Sequence, residues 1–282
     1  MTLLSENMTE EEYNKLPGLR STALKYKIRW GNRAFFQKYE SGLFGEQVET
    51  DTLSFGKVFH EVLIEQKKSF EVWEGGVRSG KHWEAFKTMC QIRGKKIITP
   101  KEHDELAIML DSVSHNKEAM ELLARTVRKE QVIQFDYKGM PCKIKLDMWL
   151  DDDGQTDVKT SQDASEEGFF FKGIDRFRYD IQSEFYKLGV QYYLETEMDL
   201  PFSFIVVENK EPYRCAVHYI HRNVAELARD KMFTALDDLV ECRETGHWRE
   251  PLSEDENGDR VTLCYSPSMY WLEKNGAIFD EC

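Results

Sequence analysis

The chain has 282 residues, with 38 Lys and Arg against 51 Asp and Glu, a formal charge of −13. Hydrophobic residues at 41% and aromatics at 12% supply a substantial core and exclude a disordered chain. No run of 18 apolar residues occurs, so no membrane span is expected, and the six cysteines show neither Cys-x-x-Cys nor Cys/His finger spacing.

Residues 1–7 lack the basic and apolar regions of a signal peptide, so a cytoplasmic protein with reduced cysteines is expected. After the Pro17-Gly18 break, Ser21 is placed to cap a helix reaching about residue 38. That stretch carries Arg20, Lys25, Lys27, Arg29, Arg33 and Lys38 and no acid; Lys25, Arg29 and Arg33 recur at i+4 as one stripe. A second helix is expected over residues 52–66 and a third around 83–92, after the loop Gly75-Gly-Val-Arg-Ser-Gly80. Residues 75–101 hold a second basic concentration, seven cations including Arg78 and Lys81 against Glu84. A net charge of −13 opposes casual nucleic-acid binding, but two basic segments in an acidic chain fit a charged groove facing a polyanion. Thr99-Pro-Lys-Glu102 starts a capping-box helix to about residue 114, and another helix follows to 128. Three strands come next, at 130–138, 142–150 and 155–160, then helices at 166–172 and 180–195. Strands at 202–208 and 213–220 and a helix over 223–244 complete the pattern before an acidic, then aromatic, tail. The layout is helices, a small mixed sheet, then helices again.

The most informative segment is the second hairpin. In Lys143-Ile-Lys-Leu-Asp-Met-Trp-Leu150, alternation sets Ile144, Leu146, Met148 and Leu150 on one face and Lys143, Lys145, Asp147 and Trp149 on the other. Thr156-Asp-Val-Lys-Thr160 follows the turn signal Asp151-Asp-Asp-Gly154. A three-residue loop, 151–153, places Asp147 opposite Asp157 and Lys145 opposite Lys159; an even-numbered loop separates the two acids. Opposed carboxylates repel unless a divalent cation sits between them, which points to metal-assisted phosphodiester hydrolysis. An isolated Asp-x-Lys triplet is more often a solvated strand face, and Glu65-Gln-Lys67, Asp136-Tyr-Lys138 and Glu208-Asn-Lys210 share the pattern.

Three further features surround this hairpin. An even turn at Gly139-Met-Pro sets Glu130 opposite Trp149, on the Asp147 face, where it either joins the site, holds Lys145 or ends a strand in solvent. His60 follows Gly56 by one helical turn on an apolar helix, so it is either packed in the core or exposed to an approaching backbone or phosphate. Gln182 and Tyr186 share one face of a helix, where they either serve the site or form its amphipathic margin.

In order and spacing, Gly56-x-x-x-His60, Glu130, Asp147, Asp157-x-Lys159 and Gln182-x-x-x-Tyr186 resemble the PD-(D/E)xK nuclease superfamily, in particular its RecB-type branch and the nuclease domain of exonuclease VIII and its phage relatives. The similarity extends to Asp157-Val-Lys-Thr-Ser, Arg178-Tyr-Asp-Ile-Gln-Ser-Glu-Phe-Tyr186 and the Arg78-Ser-Gly-Lys81 loop, and it covers about residues 20–250. Leu146 stands where a proline often precedes the first acid, and the second acid is Asp. The resemblance implies an α/β (mixed α+β), restriction-endonuclease-like core with a small mixed sheet flanked by helices. It implies an exonuclease domain over 1–250 with an N-terminal helical region, and a tail or appendage over 251–282. It implies Mg²⁺ or Mn²⁺ held by His60, Asp147, Asp157 and the carbonyl of Val158, with Lys159, Glu130, Gln182 and Tyr186 in catalysis. For the 5′ phosphate, Arg20 and the helix start at Ser21, whose free N–H groups suit an anion, are candidates; Arg78, Lys81 and Arg178 are further phosphate candidates. The implied activity is 5′-to-3′ degradation of linear double-stranded DNA, leaving 3′ overhangs for phage-type recombination. The implied partners are DNA ends, a single-strand annealing protein and further copies of the chain in a ring such as a tetramer. Competing readings are another nuclease of the superfamily, an endonuclease or single-strand exonuclease, and a non-catalytic DNA-processing accessory protein. Iron–sulfur members are disfavoured by the missing cysteine cluster.

Overall fold

A computed structural model describes residues 2–3, 8–41 and 51–249. The N-terminal part holds β1 (Thr2–Leu3), α1 (Glu10–Lys15), α2 (Ser21–Phe35) with a π-helical turn at Phe36–Glu40, and α3 (Asp51–Glu65). A small parallel pair, β2 (Phe70–Val72) and β3 (Lys96–Ile98), brackets α4 (Gly80–Ile92). Helices α5 (Pro100–His115) and α6 (Lys117–Ala124) lead into the long strands β4 (Thr126–Tyr137), β5 (Met140–Leu150) and β6 (Gln155–Ser161). Then come α7 (Glu166–Phe169), a second π-helical turn (Phe170–Arg176), α8 (Tyr179–Leu194), β7 (Phe202–Glu208), β8 (Cys215–Tyr219) and α9 (Arg222–Thr245). The main sheet runs β1-β4-β5-β6-β7-β8, with β6 and β7 parallel across the α8 connection and the other neighbours antiparallel. Every residue of β7 is buried, as a strand covered on both faces requires.

One face carries α2, α8 and α9 over Ile133, Phe135, Ile144, Leu146 and Trp149. The other carries α3, α5 and α6 over Met148, Leu150, Val158, Ile205 and Val207. The expected single apolar face of β5 is therefore divided: Ile144 and Leu146 enter one core, and Met148 and Leu150 the other. The pleat turns over at Asp147, level with Glu130, whose φ of 51° puts a left-handed residue inside β4. Such a residue twists a ladder as a bulge does.

The β4–β5 turn also differs from the expected Gly139-Met-Pro. It is Lys138–Gly139, with φ of 48° and 82°, closed between Tyr137 and Met140. A two-residue hairpin of this kind needs positive φ at both positions, which glycine allows at the second. The register moves by two, so Arg128 opposes Trp149 and Val132 opposes Lys145. Glu130 consequently stands level with Asp147 and not with Trp149.

Helix boundaries largely agree with expectation, and both capping residues of the Thr99/Glu102 box are in place. The helix expected to reach 128 stops at Ala124, because β4 begins at Thr126. Arg20, not Ser21, is the N-cap of α2; Ser21 is the first helical residue. Among the described residues the cysteines at 90, 142, 215 and 242 are free. The tail over 251–282 lies outside the described residues.

Candidate metal centre

The site forms where β6 leaves β5. The turn occupies 151–153, with the Leu150 amide donating to Gly154 at 2.8 Å. Trp149 then pairs with Gln155 and Met148 with Thr156. Continuing this register sets Asp147 against Asp157 and Lys145 against Lys159, as a three-residue loop demands. The backbone ladder ends there. The Val158 N–H donates to Asp147 Oδ2 at 2.8 Å, while β6 runs on alongside β7 to Ser161. A side chain has taken the place of a strand partner, and the gap between diverging strands receives the acids.

Helix α3 brings His60 to this gap. A Cβ on Gly56 would stand 3.2 Å from Thr160 Oγ1, so the missing side chain is what lets the helix lie close to β6. His60 Nε2 sits 3.0 Å from Asp147 Oδ2 and 3.6 Å from Glu130 Oε1. Lys145 pairs with the other oxygen of Glu130. One ligand atom from each of His60, Glu130 and Asp147 lies within 4.8 Å of the others. Burial disfavours charge on His60, but Asp147, Glu130 and Asp157 outweigh it and hold the imidazole up at about 9. Burial pushes Glu130 up, helped by the Asp147 charge. Partial burial also works against charge on Asp147, yet His60, Lys159 and the Val158 amide keep it below the usual carboxylate range. Glu130 Oε1 is buried without a hydrogen-bond partner. An unsatisfied carboxylate oxygen facing an imidazole and a second carboxylate fits a divalent cation, which would hold all three.

Asp157 stands beside this trio and outside it. It is 2% exposed; Oδ1 accepts from Gln182 Nε2 at 2.7 Å, and Oδ2 pairs with Lys159. Burial and the neighbouring Asp147 charge push Asp157 up to about 6, against the pull of Lys159. Lys159 is held above its ordinary value by Asp157 despite burial, and its Nζ lies 4.9 Å over the Tyr179 ring. Tyr186 is hydrogen-bonded to Ser21, and burial raises it well above the usual phenol range. Val158 opposes Ile205 in the parallel ladder.

Two residues at this site were not singled out from the sequence. Lys25 Nζ lies 3.4 Å from Gln182 Oε1 and 5.3 Å over Tyr179. Burial, with Lys159 nearby, lowers Lys25 to about 8. Lys25 belongs to the expected Lys25–Arg29–Arg33 stripe, but the helix is broken at Gly31 (φ 83°, ψ 178°), so Arg33 does not continue it, and spacing does not say which member turns inward. Tyr179 lay in the Arg178–Tyr186 stretch without a role.

The phosphate candidates are more dispersed. Arg20 Nη1 donates to Asn14 Oδ1 at 2.9 Å. Arg178, itself in the left-handed region with φ 52°, makes a two-pronged contact to the buried Asp180 at 2.9 and 2.8 Å, so its guanidinium is engaged. Arg78 lies over Trp83 and 4.0 Å from Glu102, and Lys81 is exposed at the start of α4; that unit packs behind α3, with Lys96 bonded to Glu61 at 2.7 Å.

Strands that part at two acids, the second followed at two residues by a lysine paired to it, match the PD-(D/E)xK arrangement that the sequence resembles. The chain belongs to the family described as PDDEXK-like domain of unknown function (DUF3799), which matches residues 34–255. It is also similar to the crystal structure of a "putative exonuclease" from Eubacterium rectale, with a TM-score of 0.58 and 16% identity over 99% of this chain and 100% of that one. At that identity the likeness concerns the fold. No curated protein matches the chain. No helix among the described residues is long and apolar enough to cross a membrane.

Proposed function

We propose that the protein is a metal-dependent exodeoxyribonuclease that degrades linear double-stranded DNA 5′ to 3′, leaving 3′ single-stranded overhangs. The observation that carries this reading is the meeting of the His60–Glu130–Asp147 donor group with the buried Asp157–Lys159 pair at the β5–β6 divergence. One nitrogen and two carboxylate donors suit Mg²⁺ or Mn²⁺, the imidazole favouring Mn²⁺. A bound cation supplies a water of lowered pKa and polarises a phosphoryl oxygen. The residues do the rest. Lys159, fixed by Asp157 and the Tyr179 ring, offers its ammonium to the charge that grows on the phosphate. Gln182 orients Asp157, and Lys25 adds a second cation on the same side. Lys145 offsets the charge on Glu130.

Polarity, overhang formation and a role in phage-type recombination rest on the resemblance to exonuclease VIII relatives. So do the single-strand annealing partner, a ring of copies, the cytoplasmic setting, and a nuclease unit over 1–250 with an appended tail. The test is cleavage of end-labelled linear duplexes, bearing 5′-phosphate or 5′-hydroxyl, beside closed circles, with and without Mg²⁺ or Mn²⁺. Degradation of linear ends from the 5′ label supports the proposal. Cutting of circles replaces it with an endonuclease, and inactivity with every divalent ion leaves a non-catalytic scaffold.

A further inference from the structure

Phe170, Phe171 and Phe177 are 46%, 58% and 49% exposed, three large apolar side chains within eight positions. Their setting ties them to the site. Phe169 anchors the segment: it is buried and packs on Phe204 at 5.4 Å and Tyr179 at 6.1 Å. The π-helical turn that follows throws Phe170 and Phe171 outward, edge to face at 5.8 Å. Gly173 seats the turn, because a Cβ there would come within 2.9 Å of Phe169 and 3.1 Å of Tyr179. Phe177 then stacks on Tyr179 at 5.8 Å and 25°. Tyr179 is the ring beneath Lys159 and Lys25. One ring therefore separates an exposed phenyl from the lysine of the Asp-x-Lys pair. Residues 168–178 carry Lys172 and Arg176 against Asp175, with Arg178 paired to Asp180, and the Arg176 guanidinium lies 5.5 Å from the Phe177 ring.

We propose that Phe171 and Phe177, with Phe170, form a platform on which unpaired bases stack, belonging to the DNA strand whose phosphate reaches Lys159. The inference rests on the nuclease reading and narrows its substrate to a strand parted from its complement at the site. Exposed rings interleaved with cations suit single-stranded nucleic acid: rings accept any base face and cations follow the backbone. Paired bases already stack on one another and offer no free face, so the platform selects a separated end. Half-exposed phenyls also carry a solvation cost that a stacked base removes. A π-helical turn at a functional site is a recurrent pattern.

The experiment uses the full chain in EDTA, so that binding is read without cleavage. Fluorescence anisotropy compares a duplex with a four-nucleotide 5′ single-stranded flap and a blunt duplex of equal length. Phe171→Ala and Phe177→Ala should each weaken flap binding roughly tenfold, the contribution of about one stacked base, with little change for the blunt duplex. Phe177→Trp should restore it, and 5-iododeoxyuridine in the flap should photocrosslink to this segment. Equal affinities for wild type and both alanine variants overturn the proposal. So does unchanged binding with an altered elution volume, which assigns the patch to contact between copies. Failure of wild type to cut DNA with any metal would sink the nuclease reading and leave these measurements standing.

Discussion

If His60 is a metal ligand, the metal must compete with a proton. Asp147 at 3.0 Å and Glu130 at 3.6 Å hold the free imidazole charged up to about pH 9. A metal needs the neutral ring. The sign is fixed: a raised pKa favours the proton, so affinity for metal climbs as pH rises and levels off above about 9. At pH 7.5 the gap is about 1.5 units, which at about 1.36 kcal/mol per unit costs about 2 kcal/mol, roughly thirtyfold in affinity. Mn²⁺ binding followed by electron paramagnetic resonance should tighten about tenfold per pH unit between 7 and 8.5. Asp157, near 6, is mostly ionised across that window and adds little slope. His60→Gln should bind more weakly and lose the slope. A flat profile in wild type, or an equal slope in His60→Gln, would refute the assignment of His60 as a ligand.

Other changes test the same architecture. Lys159→Met should keep the fold and DNA affinity but reduce cleavage by at least about a hundredfold, read as single-turnover rate. Lys25→Met should lower the slope of log affinity against log salt by about one, if its ammonium meets a phosphate; an unchanged slope denies it that role. Gly56→Ala should push α3 from β6 and depress cleavage, and Thr160→Ala added to it should recover activity, since the clash is with Thr160 Oγ1 at 3.2 Å. Gly189→Ala sets a Cβ 2.5 Å from Ile144 Cδ1 and 3.0 Å from the Phe135 ring. Overpacking of about 1–3 kcal/mol should exceed the gain in helix propensity of about 1 kcal/mol, so chemical denaturation should show a net loss.

The hairpin register at the site was readable because it depends on local quantities: period-2 alternation and a three-residue turn. Gly56 and His60 were readable as a spacing, although the partner that needs the glycine, Thr160, is distant in sequence. Where the reading failed, long-range backbone geometry was responsible. The Lys138–Gly139 turn shifted β4 by two residues, and no periodicity count reveals a left-handed residue at 130. Glu130 joins His60 and Asp147, one of the roles its face allowed, but from a position level with Asp147 instead of Trp149, and the hydrogen bond from Gln182 to Asp157 depends on the packing of α8, which no local pattern carries. The three-residue strands β2 and β3 are too short to show a period, whereas α1 was detectable through its Thr9/Glu12 capping box.

Glu130 occupies a backbone conformation that glycine or asparagine would adopt more comfortably. Glu130→Gly should relieve about 1 kcal/mol of that strain while deleting a donor. Stability and chemistry thus pull this position in opposite directions.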